Sequence, residues 1–243
     1  MGLLRLLSSL FCPVVSSHPC IKPVHSFDEL LNTPFADGIN ALCWERKLAG
    51  DFGEVIAQLT GDEGINRLSE AQLRELSVSP AGQQAIDAML EDLRLLQQQG
   101  LAPELNCITA YPRDEEPGPV ATDVFSFHAD SAPIEAATWL CTYHGAPSEG
   151  LGSDEAVRKV DVPEIRAELL KLHGGKDDDD FRVFLAENCY DLHYAPGPSA
   201  RPYSFGVGHL WRIACDWPGS PVPPCVHRAP ATEAGAPRLL LIS

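Results

Sequence analysis

The side chains best suited to chemistry stand at the end of Thr122-Asp-Val-Phe-Ser-Phe-His-Ala-Asp130 and within Cys225-Val-His-Arg-Ala-Pro230. Val124 to Phe127 is β-branched and aromatic, which predicts a strand. His128 and Asp130 follow two positions apart, and residues two apart on an extended chain share a face. One imidazole and one carboxylate are thus directed at a common point. His227 offers a second imidazole. Arg238 opens the apolar run Leu239-Leu-Leu-Ile242 and places a fixed cation 11 residues after His227. A guanidinium buried at the head of such a run is costly unless an anion meets it.

Two imidazoles and a carboxylate on one face of an iron ion leave the opposite face open, which is the ligand set of the non-heme Fe(II) facial triad. The open positions suit a bidentate 2-oxo acid and O2. The far carboxylate of such an acid pairs best with the planar fork of an Arg. In order and spacing, His128-x-Asp130, His227 and Arg238 resemble the Fe(II)/2-oxoglutarate-dependent oxygenases. Trp139-Leu-Cys-Thr-Tyr-His-Gly-Ala-Pro-Ser-Glu149 and Val226-His-Arg-Ala-Pro230 also resemble an uncharacterised bacterial family that carries the same triad. The resemblance covers residues 104–243. It implies an α+β fold with a double-stranded β-helix (jelly-roll) core, buttressed by helices. It implies iron on His128, Asp130 and His227, 2-oxoglutarate on Arg238 with Tyr111 as a second contact, and O2 as oxidant. The implied activity is that of a dioxygenase, most often a hydroxylase, acting on a small molecule or peptide with no catalytic side chain beyond the metal ligands. One departure is the loop Arg113-Asp-Glu-Glu-Pro-Gly-Pro119, which lengthens the approach to His128.

Two other classes use the same residues. One is a β-helix protein that binds a metal or small acid without turnover. The other is a zinc hydrolase or lyase on the same ligands. The chain has no Gly-x-Ser-x-Gly elbow, no Gly-x-x-x-x-Gly-Lys phosphate loop and no His-Glu-x-x-His. Cys225 reads as core. His144, His193 and His209 are spare imidazoles, singly more often structural, each able to support a ligand or touch substrate.

A net charge of −16, from 34 acidic against 18 basic residues, disfavours nucleic acid as the main partner. A small dianion can still bind where a local Arg outweighs a screened field. No apolar run approaches the ~20 residues of a membrane span. Eight Cys without a Cys-x-x-Cys point to scattered thiols in a reducing, cytoplasmic setting. Residues 1–20 read as a flexible N-terminal extension. Their single Arg, apolar middle and small residues also faintly resemble a secretory leader, which makes secretion the lesser alternative.

The elements that must position these groups follow from punctuation and period. Residues 21–243 read as one domain, with 21–100 mainly helical support and 101–243 the β-helix core. Ser26, Asp51 and Ser69 cap short helices. Ser79-Pro80 opens the longest one, with Gly100 beyond its end and Ile86, Met89, Leu90, Leu93 and Leu96 on one stripe. Gly38–Trp44, Leu105–Tyr111, Ala136–Tyr143, Asp191–Tyr194 and His209–Ala214 read as strands. Residues 154–189 read as a helical insertion capped at Asp161, with Asp177 to Asp180 a solvated run capping a helix near Phe181. His144 to Ser153 is a Gly/Pro/Ser loop beside the site, either a lid or an ordinary connection.

Overall fold

The computed structural model describes residues 18–59, 61–115, 118–231 and 236–243. The fold is α+β and is built on one large, mainly antiparallel sheet. Its strands are β1 (Ile21–Val24), β2 (Ala41–Trp44), β3 (Ile65–Leu68), β4 (Glu104–Ile108), β5 (Ala137–His144), β10 (Leu210–Ala214) and β12 (Arg238–Ile242). Their order is β1-β2-β10-β5-β12-β4-β3, and only the edge pair β1–β2 is parallel. Three strands from the first hundred residues therefore join the same sheet as the later ones. A second sheet has the order β11 (Val226–Arg228), β6 (Glu149–Leu151), β9 (Tyr203–Ser204). A separate two-stranded ribbon pairs β7 (Ala156–Arg158) with β8 (Tyr194–Pro196).

Helices cover one face of the large sheet and the small sheet lies toward the other. The period-two alternation of β5 shows why. Trp139, Cys141 and Tyr143 join the helix-side core with Val55, Ile86, Met89 and Leu96. Leu140 turns the other way, into a core shared with Trp211, Ile213, Leu240, Tyr203, Phe205 and Cys225. The intervening Thr138 and Thr142 lie on that second, inner face.

The helices begin where their caps predict. Ser26, Asp51, Ser69 and Ser79 cap α1 (Phe27–Asn32), α2 (Phe52–Gln58), α3 (Glu70–Glu75) and α4 (Pro80–Gln98), and Ser69 with Gln72 forms a full capping box. In the 154–189 segment the cap shifts by one residue. Val162, not Asp161, precedes α5 (Pro163–His173), which ends at Gly174 in the left-handed region. Asp178 caps α6 (Asp179–Glu187), while Asp177 pairs with Arg166, so the acidic run is a helix start. The segment is not wholly helical, since β7 lies within it.

Helix α4 is tied to the sheet through Asp92, only 1% exposed. Its carboxylate takes both terminal nitrogens of Arg46 and the hydroxyl of Tyr143, the last at 2.7 Å. Arg46 also donates from Nε to the Gly208 carbonyl at 2.9 Å. Truncating one partner strands a buried charge, which costs about 3–5 kcal/mol. Asp92→Ala is therefore expected to lower the urea unfolding midpoint sharply with an unchanged slope. A midpoint equal to the native one would show the pair to be inert.

Cys20, within the expected N-terminal extension, is buried, and His18 Nδ1 lies 3.1 Å from its sulfur. The leader-like residues 1–17 lie outside the described residues. No helix among the described residues is long and apolar enough to cross a membrane.

Candidate metal centre

The strand expected over Val124–Phe127 is not formed. Asp123 Oδ1 accepts the main-chain N–H groups of Phe125 at 3.1 Å and Ser126 at 3.3 Å, folding the segment into a turn. A short Asp side chain that bonds its own backbone two residues on competes with extended pairing, and here it wins over the β propensity of its neighbours. Extension begins only at Phe127. Tyr194 N–H donates to Phe127 O and Ala129 N–H to Leu192 O, while His128 pairs with His227 on its other side.

That last pairing builds the centre. His128 and His227 exchange both main-chain hydrogen bonds at 2.8 Å, so they stand directly opposite one another in an antiparallel bridge. Their rings lie 4.6 Å apart between centroids. His128 Nδ1 is 2.8 Å from the Ser126 carbonyl and His227 Nδ1 is 3.3 Å from the Cys225 carbonyl. A carbonyl only accepts, so each Nδ1 carries the proton and each Nε2 keeps its lone pair. Asp130 Oδ2 lies 3.7 Å from His227 Nε2 and accepts a hydrogen bond from the Thr138 hydroxyl on the inner face of β5. One donor atom from each of His128, Asp130 and His227 falls within 4.8 Å of the other two. Two imidazoles with their Nδ1 held by carbonyls and one oriented carboxylate fit a first-row divalent ion.

The protonation states agree with that use. Burial, followed by the neighbouring His227, holds the His128 imidazole below its usual value, which keeps it neutral and ready to ligate. Burial works to raise the Asp130 carboxyl, but His227, the Thr138 hydroxyl and His128 outweigh it and leave the carboxyl below its usual value.

Arg238 sits at the head of β12 and is only 2% exposed. Its described partners are all hydroxyls. Nη1 donates to Tyr111 at 2.7 Å, and Nη2 to Thr142 at 2.7 Å and Ser148 at 2.8 Å, while buried Nε has no partner. A permanent cation whose partners among the described residues are all neutral has the charge and geometry to receive an anion. Burial pulls the guanidinium below its usual value despite the Tyr111 hydroxyl beside it. Gly145, at φ +84°, lets the chain pass so close that an added Cβ would stand 2.8 Å from Pro237 O and 3.1 Å from Arg238 Cα.

One strand supports both halves of the site. Thr138 holds Asp130 and Thr142 holds Arg238, four residues apart on the inner face of β5, about 13 Å at strand rise. Phe125, in the turn that leads to His128, packs edge-on against Tyr111 at 5.7 Å. Ser148 precedes β6, whose Gly150 faces His227. The 144–153 stretch, read as either a lid or an ordinary connection, thus contributes a wall, because β6 within it is the middle strand of the small sheet.

Cys225 is buried, its Sγ 3.6 Å from Tyr203 Oη, and burial pushes its thiol well up, so it belongs to the core as expected. His209 accepts the Arg46 main-chain N–H, and His144 stands by Gly53 at the far end of β5. Neither joins the metal group. His193 does stand beside it, bridged to His128 on the side opposite His227. Thr138, Thr142 and Ser148 escaped the sequence reading. Alternation along the expected strand placed both Thr on one face, which was the available signal.

No family model matches the chain, and neither a curated protein nor a solved structure does.

Proposed function

We propose that the chain is an Fe(II)- and 2-oxoglutarate-dependent oxygenase, a hydroxylase on a double-stranded β-helix. The observation that carries this reading is the pairing of the His128–Asp130–His227 group with a buried Arg238 whose Nε is unspent. A metal-only centre has no use for the cation, and an isolated anion site has no use for the three converging ligands. Two packed sheets, with His227 on the smaller one and His128 bridged to it, and helices behind the larger, support the β-helix assignment.

Iron with 2-oxoglutarate and O2 supplies, when bound, an oxidative decarboxylation to succinate coupled to oxidation of a substrate C–H bond. The chain's part is placement. His128 and His227 ligate through Nε2 because Ser126 and Cys225 hold their Nδ1 protons. Thr138 fixes the carboxylate of Asp130. Arg238 and Tyr111 take the far carboxylate of the co-substrate, and Thr142 and Ser148 keep the guanidinium in plane. Buried Phe205, stacked 6.3 Å from the His227 ring, shields that ligand from water.

The test is an anaerobic titration of the Fe(II)-loaded protein with 2-oxoglutarate, watched for a visible metal-to-ligand charge-transfer band. One equivalent of each is expected to saturate it. Absence of the band with iron bound would end the co-substrate assignment, and zinc-supported turnover without O2 would favour a hydrolase or lyase.

A further inference from the structure

A cavity of about 400 Å³ lies against the large sheet on the side away from the metal centre. Trp139 of β5 and Arg212 of β10 line it and stand directly opposite one another in the sheet. Opposed residues share a face, and Trp139 belongs to the helix-side core. The sheet therefore separates this cavity from Thr138 and the Asp130 carboxylate it holds. The volume falls within the ~300–1,000 Å³ usual for small-molecule sites. Most of the wall is apolar, with Phe35 from the loop after α1 and half-buried Trp217 adding two further rings.

Arg212 is the residue that packing leaves unexplained. Its Nη1 donates to the carbonyls of Leu30, Leu31 and Thr33 at 2.8–3.3 Å, which fixes the end of α1. The guanidinium carbon lies 4.7 Å from the Phe35 ring centre and 5.6 Å from that of Trp139. Nε and Nη2 have no partner among the described residues, and neither is enclosed. Those two N–H groups form one parallel edge of the guanidinium fork, which matches both oxygens of a carboxylate. Arg94 and Arg166 use the same edge on Glu91 and Asp177. The three carbonyls are neutral, so they leave the positive charge uncancelled. Burial pulls the guanidinium below its usual value, and the Glu135 carboxylate opposes this only in part. Glu135, exposed, is the other charged residue of the lining.

Charge narrows the occupant. A ligand with a carboxylate alone would meet Arg212 and be repelled by Glu135, and one with an ammonium alone would suffer the reverse. A zwitterion answers both groups and carries no net charge. The rings around them call for an apolar body. We propose that this cavity binds a free α-amino acid with a large apolar side chain, its carboxylate on the Nε–Nη2 edge of Arg212, its ammonium toward Glu135 and its side chain among Phe35, Trp139 and Trp217. The site stands independently of iron and 2-oxoglutarate, since none of these residues belongs to the metal centre or contacts Arg238.

The experiment titrates the full chain with L-phenylalanine by calorimetry and follows the indole N–H signals by NMR. One-to-one saturable binding is expected. The Trp139 and Trp217 signals should shift, while that of Trp211, in the core on the other face of the sheet, stays in place. 3-Phenylpropionate and phenethylamine keep the ring and each drop one charge, so each is expected to bind about tenfold or more weaker. Glu135→Gln, a change at an exposed position, weakens L-phenylalanine severalfold and leaves 3-phenylpropionate no weaker than on the native chain. Arg212→Met removes the carboxylate edge and costs L-phenylalanine about tenfold or more. It also releases the end of α1, so Arg212→Lys, which keeps the charge and loses the fork, serves if the Met variant fails to fold. No saturable binding of L-phenylalanine, a one-charge analogue that binds as tightly, native-like affinity in both Glu135→Gln and the Arg212 variant, or binding that leaves Trp139 and Trp217 unmoved overturns the assignment.

Discussion

His227→Ala is expected to abolish stoichiometric Fe(II) binding, read by anaerobic titration with a metal-sensitive dye or calorimetry. In the proposed centre three protein ligands are the full set, and loss of the His227 imidazole would leave His128 and Asp130 as a weak two-point site. The change should spare the fold. The bridge between the two histidines runs through main-chain N–H and C=O groups, which Ala retains. What is lost besides the ligand is packing against Phe205, a deletion of the kind that costs about 2–5 kcal/mol at a large core side chain. Circular dichroism and the urea midpoint therefore separate a folded protein without metal from a broken one. A folded His227→Ala protein that still binds one Fe(II) tightly would remove His227 from the centre. The tautomers add a finer expectation. Because the Cys225 carbonyl holds Nδ1, Nε2 would be the ligating atom of the proposed centre, and Asn, whose amide reaches about as far as Nδ1, should not rescue binding.

How much of this was legible in the chain depends on which force fixes each residue. His128, Asp130, His227 and Arg238 were visible because their chemistry is scarce and their spacing is constrained by extended backbone, whereas Tyr111 entered only through the family resemblance. Helix α4 was visible because Ser79, Pro80 and Gly100 punctuate it and its stripe has one period. The route to His128 was misread, since Asp123 turns the chain by bonding its own backbone and propensity counts side chains only. The strands β1, β3 and β6 were missed for a different reason. Each has only three or four residues, too short for a period to emerge, and each owes its form to pairing with a distant strand. Gly150 illustrates this. Inside β6 it reads as a loop residue, yet the ring of Tyr203 lies where a Cβ would stand, 2.4 Å away. His193 looked like a spare because nothing local distinguishes it. Its place comes from lying across the sheet from His128, 65 residues earlier in the chain.

Arg238→Met is expected to leave Fe(II) affinity near native and to weaken 2-oxoglutarate by roughly 10- to 150-fold, the equivalent of about 1.5–3 kcal/mol for a charge-assisted bond. Met keeps the unbranched reach through the core and removes only the charge and its donors. The three hydroxyls around the guanidinium do not share that fate, since each can donate or accept elsewhere. Stability gives an independent reading of the same side chain. A cation buried among neutral groups is a cost to the free protein that an anion relieves. The variant should therefore melt no lower than the native chain when both are free of ligand. Adding 2-oxoglutarate should raise the native melting temperature, by an amount that grows with ligand concentration above the dissociation constant, and should barely move that of Arg238→Met. A structural Arg makes the opposite pair of predictions, with a clear loss of stability on removal and no loss of ligand response. The two melting curves, each with and without the dianion, decide between them even before any substrate is known.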